Sequence, residues 1–224
     1  MAASNRVKKP LVLKDWAYAW IKDRIIDSTY PPGSLLKIEE LSRELEISRT
    51  PIREAILRLE QEGLVTTRPR VGSFVTDMNT RDFVELLEIR AVVEGYGVKS
   101  IAGSLSNSQL ARIETMITEC EHEVEEGNQE AFLTHDIDFH SFLMEHAPNP
   151  WLATLMRPIK NLRERRLSIA PENLDHVRAS LIEHRAILNA LREHDGQLAS
   201  ERMKAHLSGI KQRLLKPGKN EDSD

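Results

Sequence analysis

The sequence predicts a mainly α fold in two parts: an N-terminal winged helix-turn-helix, built of three helices plus a β-hairpin wing, followed by an all-α antiparallel helical bundle. Three observations predict it. Two short amphipathic helices within residues 38–62 are joined by a turn of only a few residues, the spacing of a helix-turn-helix. Just after Gly63 the apolar period changes from that of a helix to that of strands. From Thr80 onward every periodic stretch returns to the helical period. At 224 residues the chain has room for two cores, and the expected boundaries are 1–77 for the first part, 78–216 for the second and 217–224 for a polar tail.

Taken in order, Leu11 to Ser28 reads as a helix, because Trp16, Trp20, Ile21 and Ile25 recur at three- to five-residue steps with Lys22, Asp23 and Asp27 between them. Tyr30-Pro31-Pro32-Gly33 ends it, since proline removes a donor and restricts its predecessor while Gly33 permits a turn. A short helix follows on the face of Ile38, Leu41 and Leu45. The next helix has Ser48 as its expected N-cap, Pro51 in its first turn, Ile52, Ile56 and Leu59 on its inner face, and Gly63 closing it. LVTTRP, a turn at Arg70-Val71-Gly72, and SFVTD then read as a β-hairpin.

Six or more helices are expected after Thr80, joined by short connections as in an antiparallel bundle. Their apolar stripes are Phe83, Leu86, Leu87, Val93 and Ile101; Leu110, Ile113, Ile117 and Val124; and Phe132, Phe139 and Leu143. Trp151, Leu155, Ile159 and Leu162 follow, then Leu181, Leu188 and Leu191, then Met203, Leu207, Ile210 and Leu214.

Composition narrows the function classes. No run of about 18 apolar residues exists, and MAASNRVKKPLVLKDW lacks the apolar stretch of a secretory signal, so a cytoplasmic chain with no membrane partner is expected. The one cysteine, Cys120, has no internal disulfide partner and reads as a bystander. The net charge of -4 conceals a division: residues 1–76 carry 13 Lys or Arg against 10 Asp or Glu, and the remainder 18 against 25. A nucleic-acid footprint is local to one surface, so an acidic average does not exclude DNA.

In a helix-turn-helix the start of the second helix meets the major groove. Here that start is Ser48-Arg49-Thr50-Pro51-Ile52-Arg53. Arg49 and Arg53 are four apart, opposite Ile52 and Ile56, so both can face DNA while the aliphatics face the core. Each suits bidentate contact with guanine, worth about 1–3 kcal/mol of discrimination. Ser48 and Thr50 can donate to phosphate, and Arg68 and Arg70 in the wing are expected to make positioning contacts, with Gly72 allowing close approach. Two arginines at this spacing would ordinarily only solvate a helix; the ordered set of helix, corner, helix, turn, basic helix and wing is what turns them toward DNA.

In the third bundle helix the core stripe of Phe132, Phe139 and Leu143 also carries Asp136 and His140. His184 shares the stripe of Leu181, Leu188 and Leu191, and His206 that of Met203 and Ile210. One inward histidine is usually a satisfied core residue. An inward carboxylate, in contrast, needs a cation, a metal or a tight network, and a divalent metal satisfies all four side chains together. The donor set suits zinc, with nickel, manganese or iron as alternatives. His122, His135, His146, His176 and His194 join no apolar stripe as clearly and read as surface residues.

ELSRELEISRTPIREAILRLEQEGLVTTRPRVGSFV resembles the winged helix-turn-helix of the GntR family, whose hallmark near SRTPxREAL stands here at Ser48 to Ile56. The resemblance implies that Arg49, Thr50 and Arg53 touch the operator and that Gly72 is the wing glycine. Glu39 occupies a position that is basic in the fatty-acyl-CoA-responsive branch, so that branch's ligand and operator do not transfer. Residues 80–214 are similar to the FCD type, the helical ligand-binding domain of the FadR branch, in which a D-x-x-x-H pair and two later histidines often hold a metal. The matching residues are Asp136, His140, His184 within EHRAIL and His206 within MKAHL.

Arg90, in EIRAVVEG, fits that family's Arg-x-x-x-Glu pattern on the stripe of Phe83 and Leu87. It can clamp an effector carboxylate or pair with Glu94. Gly95 and Gly97 lower the propensity of this helix. The reading that follows is a homodimeric repressor on double-stranded, palindromic operator DNA, not an enzyme, answering a small organic-acid effector. The alternatives are a metal-dependent hydrolase and a regulator whose metal is purely structural.

Overall fold

The computed structural model describes residues 12–128, 130–169 and 173–215. The expected polar tail at 217–224 lies outside them. The chain divides between Asp77 and Met78 into two compact units.

The first unit runs α1 (Leu13–Ile26), β1 (Leu35–Leu36), α2 (Ile38–Glu44), α3 (Arg49–Gln61), β2 (Val65–Arg68) and β3 (Gly72–Val75). Ala17, Ile21 and Ile25 form the buried stripe of α1 at four-residue steps, facing Leu41, Leu45, Ile52, Ile56 and Leu59. Trp16 and Trp20 are half-buried flanks of that stripe rather than its centre.

The C-terminal ends of α2 and α3 close the same way. After α3, the amide of Gly63 (φ 75°) donates to Glu60 O at 3.0 Å and that of Leu64 to Leu59 O at 2.9 Å. These are the paired bonds of a left-handed helix stop, and glycine takes the left-handed residue without cost. After α2, Glu46 at φ 51° fills the same place, with Ile47 N–H bonded to Ser42 O at 3.2 Å. A non-glycine there costs about 1–2 kcal/mol, and the tight turn into α3 depends on it.

β1 is an element that periodicity does not reveal. Two residues are too few to show alternation, and their partners stand far along the chain: Leu35 opposite Phe74 and Leu36 opposite Ser73 in a sheet ordered β1-β3-β2.

The second unit consists of α4 (Thr80–Ile101), α5 (Asn107–Glu125), α6 (Glu130–Glu145), α7 (Trp151–Ile169), α8 (Leu174–Arg192) and α9 (Gly196–Leu215). Reciprocal capping boxes, Asn79 with Asp82 and Ser106 with Gln109, start α4 and α5. α4 stays helical through Gly95 and Gly97, and the structure shows why glycines stand there. A Cβ at Gly97 would lie 2.5 Å from Met144 Cε, and one at Gly95 would lie 2.8 Å from Lys204 Cε, so the helix backbone lies directly against α6 and α9.

Most of the expected stripes are buried together in one core. α7 differs: Leu152 and Met156 face the core, whereas Trp151 and Leu155 are 70% and 59% exposed. The expected stripe holds at Ile159, which packs against the core, but is displaced by one residue at Trp151 and Leu155, because Trp151-Leu152 and Leu155-Met156 offer two adjacent apolar rows and periodicity alone does not choose between them. Among the described residues no helix is long and apolar enough to cross a membrane.

Candidate metal centre and nucleic-acid interface

α3 is amphipathic in the required sense. Ile52, Ala55, Ile56 and Leu59 are buried, while Ser48, Arg49, Thr50 and Arg53 are all exposed. Ser48 has the extended backbone of an N-cap (φ -65°, ψ 164°), but its side chain makes no capping bond. Arg49 Nη1 lies 3.3 Å from Glu39 Oε1, with both side chains more than half exposed. Such a pair is worth about 0–1 kcal/mol and exchanges readily.

In the wing, the Arg68 guanidinium sits 4.9 Å from the Phe74 ring centroid, held against its own sheet by a cation–π contact. Arg70 is exposed at the turn with φ 64°. The close approach at Gly72 is made by Leu35 of β1, whose Cδ1 would stand 2.6 Å from a Cβ built there.

In the second unit, Asp136 and His140 of α6, His184 of α8 and His206 of α9 are all buried, and one ligand atom from each lies within 4.8 Å of the others. That is close to the ~4 Å that donors span across a single divalent ion. His184 Nε2 is 3.3 Å from both Asp136 Oδ1 and His206 Nε2, and His140 Nε2 is 3.6 Å from Asp136 Oδ1. The Phe139 ring stacks on His184 at 4.1 Å and fixes its plane.

Two carboxylates hold the imidazoles from behind. His140 Nδ1 is hydrogen-bonded to Glu94 Oε2, and His206 Nδ1 to Glu183 Oε2 at 2.7 Å. Glu94 in turn accepts from Arg90 Nε at 2.6 Å, and Glu183 from Arg213 Nη1 at 2.8 Å. A neutral imidazole that donates through Nδ1 presents a bare lone pair at Nε2. This is the usual means by which a protein aims a histidine at a metal.

The titration behaviour agrees. Burial pushes the His206 imidazole down to about 4, against the upward pull of its Glu183 bond, and burial likewise lowers His140 despite Glu94. Both rings are therefore neutral near pH 7, as ligation requires. Burial alone would raise the Glu94 carboxyl, but Arg90 and His140 outweigh it and hold Glu94 well below the usual carboxylate range.

His140 Nε2 is buried and makes no hydrogen bond. Leaving such an acceptor empty costs about 1–3 kcal/mol, so the donor set fits a bound cation better than it fits a closed hydrogen-bond network.

Arg90 is 1% exposed and makes the Glu94 pair that the sequence offered as the alternative to an effector clamp. Its buried Nη1 carries no hydrogen bond. Two residues of the site escaped sequence reasoning as supports of histidines. Glu94 was visible only as Arg90's neighbour at i, i+4, and Glu183, adjacent to His184 in the chain, acts on His206 of the next helix. The five remaining histidines lie elsewhere: His122 and His194 are exposed, whereas His135, His146 and His176 are half-buried. Cys120 is buried, and burial with Glu123 and Glu121 nearby pushes its thiol up to about 12, consistent with an inert side chain.

Residues 13–75 match the model of the bacterial regulatory proteins of the gntR family, and residues 85–209 that of the FCD domain. The chain is 26% identical over 210 residues to the HTH-type transcriptional repressor RspR of Escherichia coli (strain K12), covering 92% of this chain and 90% of that protein. It is 29% identical over 217 residues to the Uxu operon transcriptional regulator of the same strain, covering 88% and 84%. A solved GntR transcriptional regulator from Rhodococcus sp. RHA1 matches with a TM-score of 0.74 at 25% identity, over 90% of this chain and 97% of that one. The family and these relatives are transcription regulators, not enzymes, which sets aside the hydrolase alternative. The chain belongs to the GntR family, as a DNA-binding transcription regulator whose second unit is an FCD ligand-binding domain.

Proposed function

We propose that the protein is an effector-responsive repressor that binds a palindromic operator as a homodimer and senses a small carboxylate in a metal-containing helical domain. Residues 1–77 form the DNA-binding head, 78–216 the sensor and 217–224 a tail. In the head, Arg49 and Arg53 read bases, Ser48 and Thr50 hold phosphates, and Arg68, Arg70 and the turn at Gly72 position the wing. A relative named as a repressor supports the sense of regulation.

The observation that carries the sensing half is the convergence of Asp136, His140, His184 and His206, with a bare, buried His140 Nε2 among them. These four would hold the metal, zinc in the first place and nickel, manganese or iron otherwise. When bound, such an ion supplies a Lewis-acidic centre for an effector carboxylate. Arg90 Nη1, buried and without a hydrogen bond, would take an effector oxygen while Nε keeps Glu94 ionised behind His140. Effector binding changes operator affinity only through unequal affinity for two arrangements of the dimer, and couplings of about 1–3 kcal/mol are typical.

Metal analysis of protein purified without added metal tests the site. One ion per chain is expected, and none after reconstitution would refute it. A second reading, a purely structural metal, is favoured by Arg90's bond to Glu94. A thermal-shift screen of organic acids separates the two, because a ligand of the folded state raises the melting temperature.

A further inference from the structure

α9 carries a glycine that helix formation does not explain. Gly209 lies in the interior of Gly196–Leu215, where alanine would hold the helix better. A Cβ at this position would stand 2.9 Å from Glu183 Oε1 and 3.1 Å from Arg213 Nη1. The missing side chain leaves room for a carboxylate of α8 to lie against the backbone of α9.

Glu183 occupies that room with both oxygens engaged. Arg213 grips it in bidentate fashion, Nη1 to Oε1 at 2.8 Å and Nη2 to Oε2 at 3.1 Å, and the same Nη2 donates to the buried Ser180 Oγ at 3.1 Å. Oε2 also accepts from His206 Nδ1 at 2.7 Å. His206, Gly209 and Arg213 succeed one another at three and then four residues, so one face of α9 supplies the imidazole, the space and the guanidinium. An ion pair between α8 and α9 needs no glycine, because Glu and Arg are long enough to meet farther from the backbone. Bringing the carboxylate in to a fully buried imidazole does need one. Glu94 differs, being sealed in the core with Arg90 of its own helix. Glu183 and Arg213 keep 28% and 14% exposure, so their cradle can be altered without stranding a charge in the core.

We propose that Gly209, Arg213 and Ser180 form a cradle that makes Glu183 a positioning residue for His206, and that this cradle sets how tightly Asp136, His140, His184 and His206 hold a metal. The inference rests on the metal reading and deepens it. The test is the dissociation constant for zinc, measured on the full chain by competition with a chelating indicator, together with the urea midpoint of the metal-free chain. The chains compared are wild type, Gly209→Ala, Glu183→Gln and, as a control, Ser208→Ala. Ser208 is exposed, so alanine there raises helix propensity one residue from Gly209 without entering the cradle.

Wild type is expected to bind one zinc per chain. Gly209→Ala is expected to raise the zinc dissociation constant about 10- to 100-fold, the effect of losing a hydrogen-bonded support behind a ligand, while its metal-free urea midpoint stays at or above that of wild type. A glycine needed only for packing would not separate the two readouts in this way. Glu183→Gln, which keeps an acceptor but removes the charge, weakens zinc binding by about 10-fold or more, and Ser208→Ala leaves it unchanged. Zinc binding at wild-type affinity in Gly209→Ala or in Glu183→Gln overturns the cradle while the metal reading stands. A loss in Gly209→Ala that comes with a lowered urea midpoint, or an equal loss in Ser208→Ala, overturns it as well. A wild type that binds no zinc after reconstitution overturns both readings, and Gly209→Ala remains decisive if Glu183→Gln does not fold.

Discussion

Arginine is treated in opposite ways in the two units. Arg49 and Arg53 stand at the exposed start of α3, Arg49 paired with the exposed Glu39, so their charge stays in contact with solvent. Arg90 is 1% exposed and bonded to a carboxylate that bonds a histidine, so its charge is already committed inside the chain. The lesson is that residue type and helical face do not separate an arginine able to change partners from one fixed in a core; desolvation does. An exposed arginine loses little on exchanging its partner, whereas a buried one cannot lose its carboxylate without leaving a charge unpaired in the core.

Removing the buried partner should have the largest effect. Glu94→Ala leaves Arg90 unpaired and takes the acceptor from His140 Nδ1, so urea unfolding is expected to show a loss of about 3–5 kcal/mol. A loss below about 1 kcal/mol would place Arg90 with the exposed arginines and erase the contrast.

Metal should come next. At roughly 100 times its dissociation constant an ion specific to the folded state stabilises by about 2.7 kcal/mol. Zinc should therefore raise the melting temperature of the wild type and not that of His206→Ala. In the metal-free chain, the folded state resists protonating His206 until about pH 4, whereas an unfolded histidine protonates near 6.5. The unfolded state thus binds more protons between those values, and stability should hold above about pH 6.5 and fall as pH drops toward 4. Urea titrations of the wild type and of His206→Gln check this, the variant having the flatter profile.

Smaller effects belong to the head. Arg53→Ala should cost about 1–3 kcal/mol of operator discrimination in gel shifts, yet shift unfolding stability by less than about 0.5 kcal/mol because the side chain is exposed. Glu39→Gln should have the smallest effect: it removes a weak competitor for Arg49 and should tighten DNA binding by less than about 1 kcal/mol, most visibly at low salt.

Much of this was legible in the sequence for a local reason. Helix α3 and its exposed arginines, the stop at Gly63, the hairpin wing and the inward placement of Asp136, His140, His184 and His206 all follow from period and punctuation within about twenty residues. Side chains on one stripe must share an environment. What stripes cannot convey is contact between elements. The two-residue β1, the Leu35 contact that requires Gly72, the exposed row of α7, and the carboxylates of Glu94 and Glu183 behind His140 and His206 are all cross-element facts.

By itself, then, the sequence determined which residues turn inward and which helix presents arginine to solvent, because those depend on repeats along one chain segment. Only the tertiary structure decided that four inward polar residues from three helices meet at one point, and that Arg90 is bound to Glu94. Distances between helices are set by how side chains of different elements fill a common core, and no local period encodes them.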